Sequence, residues 1–368
     1  MRRETAIIAH FWAVCRQPAL RFPADTHLMF RLPYPVLPAS DHYDPATGRF
    51  FVTPPQAPVQ GGGKTVLRWL KAMTLDYAQY APPAPMPSQT PGWQTLLQDD
   101  GTSRFVWFGH STVLARLSGI TLLLDPVFGN CVSPIRGISR RYQPPPAALD
   151  ELPPIDYILI SHNHYDHLDK PTIRRFVGSN TRFIVPLNLG TLLQHWGIAR
   201  ERITELDWWQ HAELSGSLHV HAVPARHNSS RGMGDFNKTL WAGFVLETER
   251  HKIYFSGDSS YGSHFADIGR RFGPIDLALL ENGQYNEHWR DNHMFPEQTA
   301  QAAADVQARR FMPIHWGMFS LALHQWDEPV RRSIPLVRQS GIATLTPTLG
   351  QVFTLDSETH NWWENVGA

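Results

Sequence analysis

The sequence predicts an α/β protein built as a four-layer αββα sandwich, and three observations support this expectation. First, the chain has 368 residues, of which 42% are hydrophobic, enough to form a substantial core. Second, from residue 105 onward it reads as two strand-rich halves, each followed by helices. Third, several predicted strands end in His or Asp, which suits a site along one edge where both sheets deliver side chains.

The predicted strands are short segments with apolar or alternating composition. They cover residues 105–108, 113–117, 121–124, 157–160, 183–185, 218–223, 240–247, 252–255, 277–280 and 311–314. Helical patterns predict helices over residues 170–177, 189–195, 296–309 and 329–339.

Residues 1–104 differ from the rest because prolines interrupt them repeatedly, most densely at 33–38, 54–58 and 82–91. We expect this segment to wrap around a larger domain of residues 105–368 and not to fold by itself. Residues 61–65 (GGGKT) resemble part of a phosphate loop. However, the leading glycine and a preceding apolar strand are missing, so a turn before a helix at 66–73 is the favoured interpretation.

The overall charge and the cysteine content restrict the class of protein. The formal net charge is zero, which argues against a nucleic-acid partner. The only cysteines are Cys15 and Cys131, so a disulfide framework is excluded and a reducing compartment is suggested.

Residues 1–15 have the outline of a short signal segment that ends at Cys15. Glu4 and His10 interrupt the apolar stretch, and Trp12 and Val14 stand where small residues precede a lipidated cysteine. We therefore expect an N-terminal helix or arm in a cytoplasmic protein, with peripheral membrane contact as an option and lipoprotein-type export as the less favoured alternative.

The most informative segment is residues 161–169 (SHNHYDHLD), which follows the apolar strand at 157–160. It holds three histidines and an aspartate spaced H-x-H-x-D-H, namely His162, His164, Asp166 and His167. Imidazole nitrogen and carboxylate oxygen are the ligands of Zn²⁺ and similar ions. A histidine-rich surface loop is the alternative, but it does not explain the residues that follow later strands.

Three later residues extend the pattern, each placed just after a predicted strand. His227 follows the strand at 218–223, Asp258 closes the segment FSGD at 255–258, and His315 opens HWG at 315–317. Four strand ends that finish in His or Asp predict a metal site before any family is considered.

These motifs resemble the metallo-β-lactamase superfamily of metal-dependent hydrolases. The resemblance is closer to the branch of N-acyl-phosphatidylethanolamine-hydrolysing phospholipase D enzymes and their bacterial relatives, and it covers roughly residues 100–355. That branch carries counterparts of residues 107–112, 161–169, 255–258, 280–283 with Tyr285, and 314–317. The resemblance also implies the αββα sandwich of the metallo-β-lactamase type.

Residue by residue, the resemblance implies two divalent metal ions. The first would be held by His162, His164 and His227, the second by Asp166, His167 and His315, and Asp258 would bridge them. A water on the bridge would be acidified towards neutrality and become the nucleophile, with Asp166 as the residue that orients it. Zinc is the expected ion, with Mn²⁺ and Fe²⁺ as alternatives, because no cysteine belongs to the set.

Several other residues have an expected role close to this centre. His293 corresponds to a histidine that faces the scissile phosphate in the related branch, so it is a candidate catalytic residue that would stabilise developing charge. His110 is expected to hydrogen-bond a ligand without being one. Tyr165 either faces substrate or packs, and His324 is a candidate for the pocket lining.

The remaining histidines carry no ligand pattern. His219 and His221 share one face of an alternating strand and are expected to be half-exposed. Surface positions are expected for His211, His251, His264, His288 and His360.

The expected reaction is hydrolysis of a phosphodiester in an N-acyl-phosphatidylethanolamine-like lipid by a metal-bridging hydroxide, with a phospholipid or small molecule as substrate. Tryptophans such as Trp208, Trp209, Trp289 and Trp326 could flank an acyl groove, although core packing explains them equally well. One alternative is a lactonase or other ester hydrolase that acts on a sugar phosphate. The other is a non-catalytic metal-binding or sensing protein. The presence of a suitable residue at all seven expected ligand positions argues against it.

Overall fold

The computed structural model describes residues 34, 40–57, 60, 62–135, 137–214, 217–232 and 234–367. Two mixed seven-stranded sheets face each other, and helices cover their outer faces. The predicted four-layer αββα sandwich is therefore confirmed. The predicted N-terminal signal segment or arm at residues 1–15 lies outside the described residues, as does Gly61 of the GGGKT segment.

The first sheet has the strand order β16-β3-β4-β5-β6-β7-β8. Strands β16 to β5 pair antiparallel, and β5 to β8 pair parallel. The strands are β3 (Arg104–Trp107), β4 (Val113–Leu117), β5 (Ile120–Leu124), β6 (Tyr157–Leu159), β7 (Arg182–Pro186), β8 (Ile203–Leu206) and β16 (Val352–Thr354).

The second sheet has the order β15-β14-β13-β12-β11-β10-β9 and repeats the same plan. Strands β9 to β12 pair antiparallel, and β12 to β15 pair parallel. Its strands are β9 (His211–Glu213), β10 (His219–Val223), β11 (Gly243–Glu247), β12 (Lys252–Phe255), β13 (Leu277–Glu281), β14 (Arg310–Ile314) and β15 (Ala343–Thr344).

The helices pack outside the two sheets or precede them in the chain. They are α1 (Gly62–Thr74), α2 (Tyr77–Tyr80), α3 (Trp93–Leu96), α4 (Lys170–Arg174), α5 (Gly190–His195), α6 (His264–Phe272), α7 (Pro296–Asp305) and α8 (Glu328–Gln339). A small hairpin of β1 (Tyr43–Asp44) and β2 (Arg49–Phe50) lies before α1.

Period-two alternation along the first sheet divides its side chains between two cores. Phe105 and Trp107 belong to the large core between the sheets, whereas Val106 between them belongs to the core under α4 and α5. Leu122 and Leu124 face the large core in the same way, and Leu123 faces the helices. Successive strand side chains point to opposite faces, so a strand covered on both faces must be apolar throughout.

Some predicted boundaries are wrong, and the hydrogen bonds explain why. Strand β11 begins at Gly243 and not at residue 240, because Leu240 N–H and Ala242 N–H donate to Leu187 and Ser161 of the first sheet's loops. Helix α7 ends at Asp305 and not at residue 309. The chain turns at Gln307, whose φ is +57°, so that β14 can begin.

The end predicted for α4 is also wrong, since the helix stops at Arg174 and not at residue 177. Turns follow it, and the Arg202 guanidinium donates to the carbonyls of Phe176 and Val177. Helix α6 was missed, although Phe265, Ile268 and Phe272 place apolar residues three and four positions apart.

Described parts of residues 40–104 contact the sandwich at separate points. Gln56 Nε2 donates to Arg226 O at 3.1 Å, Trp69 Nε1 donates to Leu321 O at 2.7 Å, and Ser88 forms a bridge with Leu349. The division at residue 104 stays a prediction. Within the described part of the chain, none of the helices has the length and apolar character needed to span a membrane.

Candidate metal centre

The expected ligand residues lie at the carboxyl ends of strands from both sheets, where the loops of the sandwich meet. Residues 162–167 follow β6 of the first sheet, whereas His227, Asp258 and His315 follow β10, β12 and β14 of the second. The carboxyl ends of parallel strands lie at the same edge of a sheet. Because these edges of the two sheets face each other, the loops that carry the expected ligands meet.

A first cluster comprises His162, His164, His227 and Asp258, whose potential ligand atoms all lie within 4.8 Å of one another. His164 Nδ1 is 2.8 Å from His162 Nε2 and 3.2 Å from His227 Nε2. Two nitrogens bound to one tetrahedral zinc ion lie about 3.3 Å apart, given bonds of about 2.0 Å. These three rings are therefore spaced as ligands of one ion would be.

A second cluster comprises Asp166, His167 and His315, together with His110. Asp166 Oδ2 is 3.3 Å from His167 Nε2 and 4.0 Å from His315 Nδ1. His110 Nε2 is 2.9 Å from the same carboxylate oxygen, as the sequence predicted for a residue that holds a ligand.

Asp258 lies between the two clusters. Its Oδ2 is 3.7 Å from His162 Nε2 and 3.6 Å from His227 Nε2 in the first cluster, and 3.1 Å from His167 Nε2 in the second. Its Oδ1 is 3.1 Å from His315 Nδ1. A carboxylate in this place fits the bridging position expected from the sequence.

Hydrogen bonds to backbone and side-chain acceptors set which nitrogen of three histidines faces the centre. His227 Nδ1 donates to Asn292 O at 3.1 Å, and His167 Nδ1 donates to Asp125 Oδ2 at 2.6 Å. Ser161 Oγ donates to Asp125 and so accepts from His162 Nδ1 at 2.9 Å. In the neutral rings of His162 and His227 this leaves the Nε2 lone pair directed at the clusters, which is the form that binds a metal ion, and in His167 it turns Nε2 towards the same place.

The electrostatics favour a cation. Burial, followed by repulsion from neighbouring imidazoles, holds the pKa values of His162, His227 and His315 well below the usual range, so these rings are neutral. Among the described residues, neither His167 Nε2 nor Asp258 Oδ1 has a hydrogen-bond partner, although both atoms are buried. Buried polar atoms are rarely left unpaired, and a divalent ion would satisfy both.

His167 differs from the other rings. Burial opposes its protonation, but the carboxylates Asp258, Asp166 and Asp125 outweigh burial and raise its pKa well above the usual range. Three carboxylates around one buried imidazole form a region of negative charge that a cation offsets. The donor set therefore fits divalent metal binding.

Sequence reasoning missed Asp125, which is fully buried and supports both clusters through His167 and Ser161. It is the residue directly after β5, so the strand-end rule that identified Asp258 could have found it. Its φ of +40° lies in the left-handed region that is unfavourable for residues other than glycine.

Glu281 was also missed as a site residue, although it stands at the end of β13. His293 Nδ1 is 2.7 Å from Glu281 Oε2, and Met294 N–H donates to Glu281 Oε1 at 2.6 Å. The His293 ring stacks 5.0 Å from that of His315 and lies 5.2 Å from that of His227. The structure thus places His293 next to both clusters, oriented by a buried carboxylate.

Arg231 fixes the loop that carries the first four expected ligands. Its Nη1 donates to Asn163 O at 2.8 Å and to Leu168 O. Its guanidinium also lies 3.9 Å from the ring centroid of Tyr165, whose hydroxyl donates to Arg231 O. Tyr165 is thereby held in a packing contact on the loop.

Predictions for the remaining side chains had mixed outcomes. The surface position expected for His264 is wrong, since it is 8% exposed and its Nε2 is 3.0 Å from Ser259 Oγ. His324 accepts from Gln284 N–H and stacks on Tyr285. Trp326 packs in the large core, as do Trp362 and Trp363.

Comparison with known proteins agrees with this geometry. A model of the beta-lactamase superfamily domain matches residues 121–316, which is more than half of the chain. The chain belongs to the metallo-β-lactamase superfamily. The resemblance inferred from the motifs at 161–169, 255–258 and 314–317 is thus confirmed at the level of this family of metal-dependent hydrolases.

Individual relatives and solved structures match most of the chain. An uncharacterized protein of Mycobacterium tuberculosis is 41% identical over 290 residues, which is 77% of each chain. N-acyl-phosphatidylethanolamine-hydrolyzing phospholipase D 1 of Caenorhabditis elegans is 33% identical over 232 residues, 60% of this chain and 65% of the worm protein. The archaeal metallo hydrolase Igni18 from Ignicoccus hospitalis shares the fold, with a TM-score of 0.54 and 18% identity over 70% of this chain and all of its own.

Proposed function

We propose that the protein is a phosphodiesterase of the phospholipase D type that acts on N-acyl-phosphatidylethanolamine-like lipids. The observation that carries the proposal is the pair of ligand clusters with Asp258 between them. Similarity to the worm phospholipase D supports the choice of substrate class. When two divalent ions are bound, they can acidify a water and stabilise both the attacking and the leaving oxygen of an in-line displacement.

The residues that would hold the ions follow from the two clusters. His162, His164 and His227 would hold one ion, and Asp166, His167 and His315 the other, with Asp258 shared. Nitrogen and oxygen donors without cysteine suit Zn²⁺ first, with Mn²⁺ and Fe²⁺ as alternatives.

His293 would act on the substrate phosphate. With Nδ1 hydrogen-bonded to the Glu281 carboxyl group at 2.7 Å, the opposite nitrogen is directed away from Glu281 and would face the substrate. Burial lowers the pKa of His293 and raises that of Glu281, so a neutral Glu281 would donate to Nδ1 and leave the ring hydrogen on Nε2. That N–H would donate a hydrogen bond to a phosphate oxygen and stabilise the charge that develops there. Asp166, which accepts from His110, would orient the attacking water through its carboxylate.

A lipid substrate also bears on where the protein works. We propose a cytoplasmic protein in peripheral contact with a membrane surface, because the headgroup ester of a phospholipid is presented at the water interface. The formal net charge of zero offers no electrostatic footprint for a nucleic acid.

The test combines metal content with activity on one preparation. Elemental analysis would be followed by assays on bis(p-nitrophenyl) phosphate and on N-acyl-phosphatidylethanolamine in mixed micelles. Asp258→Asn should lose metal and hydrolytic activity together. Asp276→Asn should keep both, and it is the control because Asp276 is a buried carboxylate that accepts hydrogen bonds from Lys252 N–H and Arg309.

Each outcome decides something different. Bound metal with metal-dependent cleavage of both substrates supports the proposal. Bound metal without diester cleavage rejects it and points to a lactone or another ester. Full activity in Asp258→Asn contradicts a shared carboxylate.

A further inference from the structure

A second group of histidines lies at the amino end of β10, the opposite end of that strand from His227. His219 and His221 share one face of β10, and the His221 ring lies 4.9 Å from that of Phe272 in α6, so both point to the outer, helix-covered face of the second sheet. His211 of the edge strand β9 lies beside them. We call His211, His219 and His221 the histidine patch.

Strand register brings the patch together on one face. His211 is the direct cross-strand partner of His221, and His219 is flanked by Glu213 of β9 and Glu247 of β11. Directly opposed residues in an antiparallel pair have Cβ atoms about 5 Å apart, so their side chains meet. The patch is therefore held by the sheet backbone and does not depend on a loop.

The ring spacing approaches that of the buried centre. Ring centroids in the patch are 5.3 Å apart for His211 and His221, 6.2 Å for His211 and His219, and 6.3 Å for His219 and His221. The buried rings of His162, His164 and His227 are 4.5–5.0 Å apart. Bonds of about 2.0 Å to one ion place imidazole centroids about 5 Å apart, so a side-chain rotation that brings the His219 ring closer to the other two would place all three on a single ion.

A carboxylate and the local electrostatics prepare His221 as a ligand. Its Nε2 lies 3.1 Å from Glu247 Oε2 and donates its hydrogen to that carboxylate. This contact fixes the ring and leaves the lone pair of Nδ1 to bind a metal ion. Burial lowers the pKa of His221 despite the opposing effect of Glu247, and His211 and His219 lower it further, so the ring is neutral at pH 7. His211 is exposed and the other two rings are half-buried, so an ion can reach them from solvent.

We propose that the histidine patch binds one divalent transition-metal ion of the class that prefers imidazole, such as Zn²⁺ or Ni²⁺, through His211, His219 and His221. Bound there, the ion would fasten the three-residue edge strand β9 to β10. The site is separate from the buried clusters and does not rest on the proposed phosphodiesterase activity.

Equilibrium dialysis of the metal-loaded protein against micromolar Zn²⁺, followed by elemental analysis, tests the proposal. Wild type should hold one more equivalent than the double variant His219→Gln/His221→Gln, with equal activity. The control His288→Gln/His360→Gln, at two histidines outside the patch, should bind as wild type does. Equal zinc in wild type and the patch variant would overturn the proposal.

Two further measurements separate a built site from loose surface binding. Glu247→Gln should weaken Zn²⁺ binding on the order of 10–100-fold, because the ring of His221 loses its orienting carboxylate. Zn²⁺ should slow hydrogen exchange of the amides at 211–213 in wild type and not in the patch variant. Unchanged affinity in Glu247→Gln, together with unchanged exchange in wild type, would contradict a metal bound across β9 and β10.

Discussion

Asp125 accepts a hydrogen bond from His167 Nδ1 at 2.6 Å, and the same carboxylate accepts from Ser161 N–H at 2.7 Å and Ser161 Oγ at 2.6 Å. Through Ser161 it also sets the orientation of His162. One carboxylate at the end of β5 therefore directs one ring in each cluster. The two candidate metal positions share a support as well as the intervening Asp258.

Replacement of Asp125 by asparagine should weaken metal binding in both clusters. An amide cannot accept from His167 and from both donors of Ser161 at once, so at least one ring loses its orientation. Loss of such a partner typically costs on the order of 10–100-fold in metal affinity. Competition with a chelator would measure the loss. Asp276→Asn serves as the control, and unchanged affinity in Asp125→Asn would show that the carboxylate only supports the fold.

His293 and Glu281 should behave as one unit in turnover. His293→Ala and Glu281→Gln should each lower kcat on the order of 100-fold, because the first removes the ring and the second removes the carboxyl group that orients it. In the His293→Ala background, Glu281→Gln should add less than about twofold, as expected for residues that act through one contact.

Metal content decides what that pair does. Asp258, Glu281, His293 and His315 also form a group whose potential ligand atoms lie within 4.8 Å of one another. Both single variants should retain the metal content of wild type if His293 acts on substrate. Loss of metal in His293→Ala would instead make His293 a ligand, and additive losses in kcat would mean that Glu281 acts independently.

Gly283 should be essential for the position of His315. A Cβ at residue 283 would lie 2.6 Å from His315 O, a backbone atom that cannot rotate away. Gly283→Ala should therefore displace the His315 loop, lower metal content and destabilise the fold by about 1–3 kcal/mol. At Gly178 no atom of the described residues lies within 4 Å of such a Cβ, so Gly178→Ala is the matched control. Thermal unfolding and elemental analysis of both variants would test this, and equal results would contradict it.

The grouping of the expected ligand residues was predictable because each belongs to a local pattern. An apolar strand followed by His or Asp is visible in the sequence at His162, His227, Asp258 and His315. The register of parallel strands then requires these ends to meet. The long central strands were predictable for the same reason, since residues buried on both faces form continuous apolar runs.

What could not be predicted depends on contacts between distant segments. Nothing local marks Asp125 as the partner of His167, 42 residues away, or Glu281 as the partner of His293. The first residue of β11 is set by the hydrogen bonds that the preceding segment makes to Leu187 and Ser161 across the sandwich, and not by composition. His264 looked like a surface residue because its burial arises from α6, a helix that sequence reasoning missed.

His264 should make the protein sensitive to mild acid. Burial, with a smaller contribution from Arg226, lowers its pKa to about 3, whereas an unfolded histidine has a pKa of about 6.5. Above pH 6.5 neither state binds the proton. Between pH 6.5 and pH 3 only the unfolded state binds it, so the free energy of unfolding falls by about 1.4 kcal/mol per pH unit through this group. The free energy of unfolding of wild type relative to His264→Asn should therefore fall by about 1.4 kcal/mol between pH 7 and pH 5.5. Urea titrations with excess chelator would isolate this from metal release, and a difference that stays constant with pH would mean that His264 becomes protonated in the folded state.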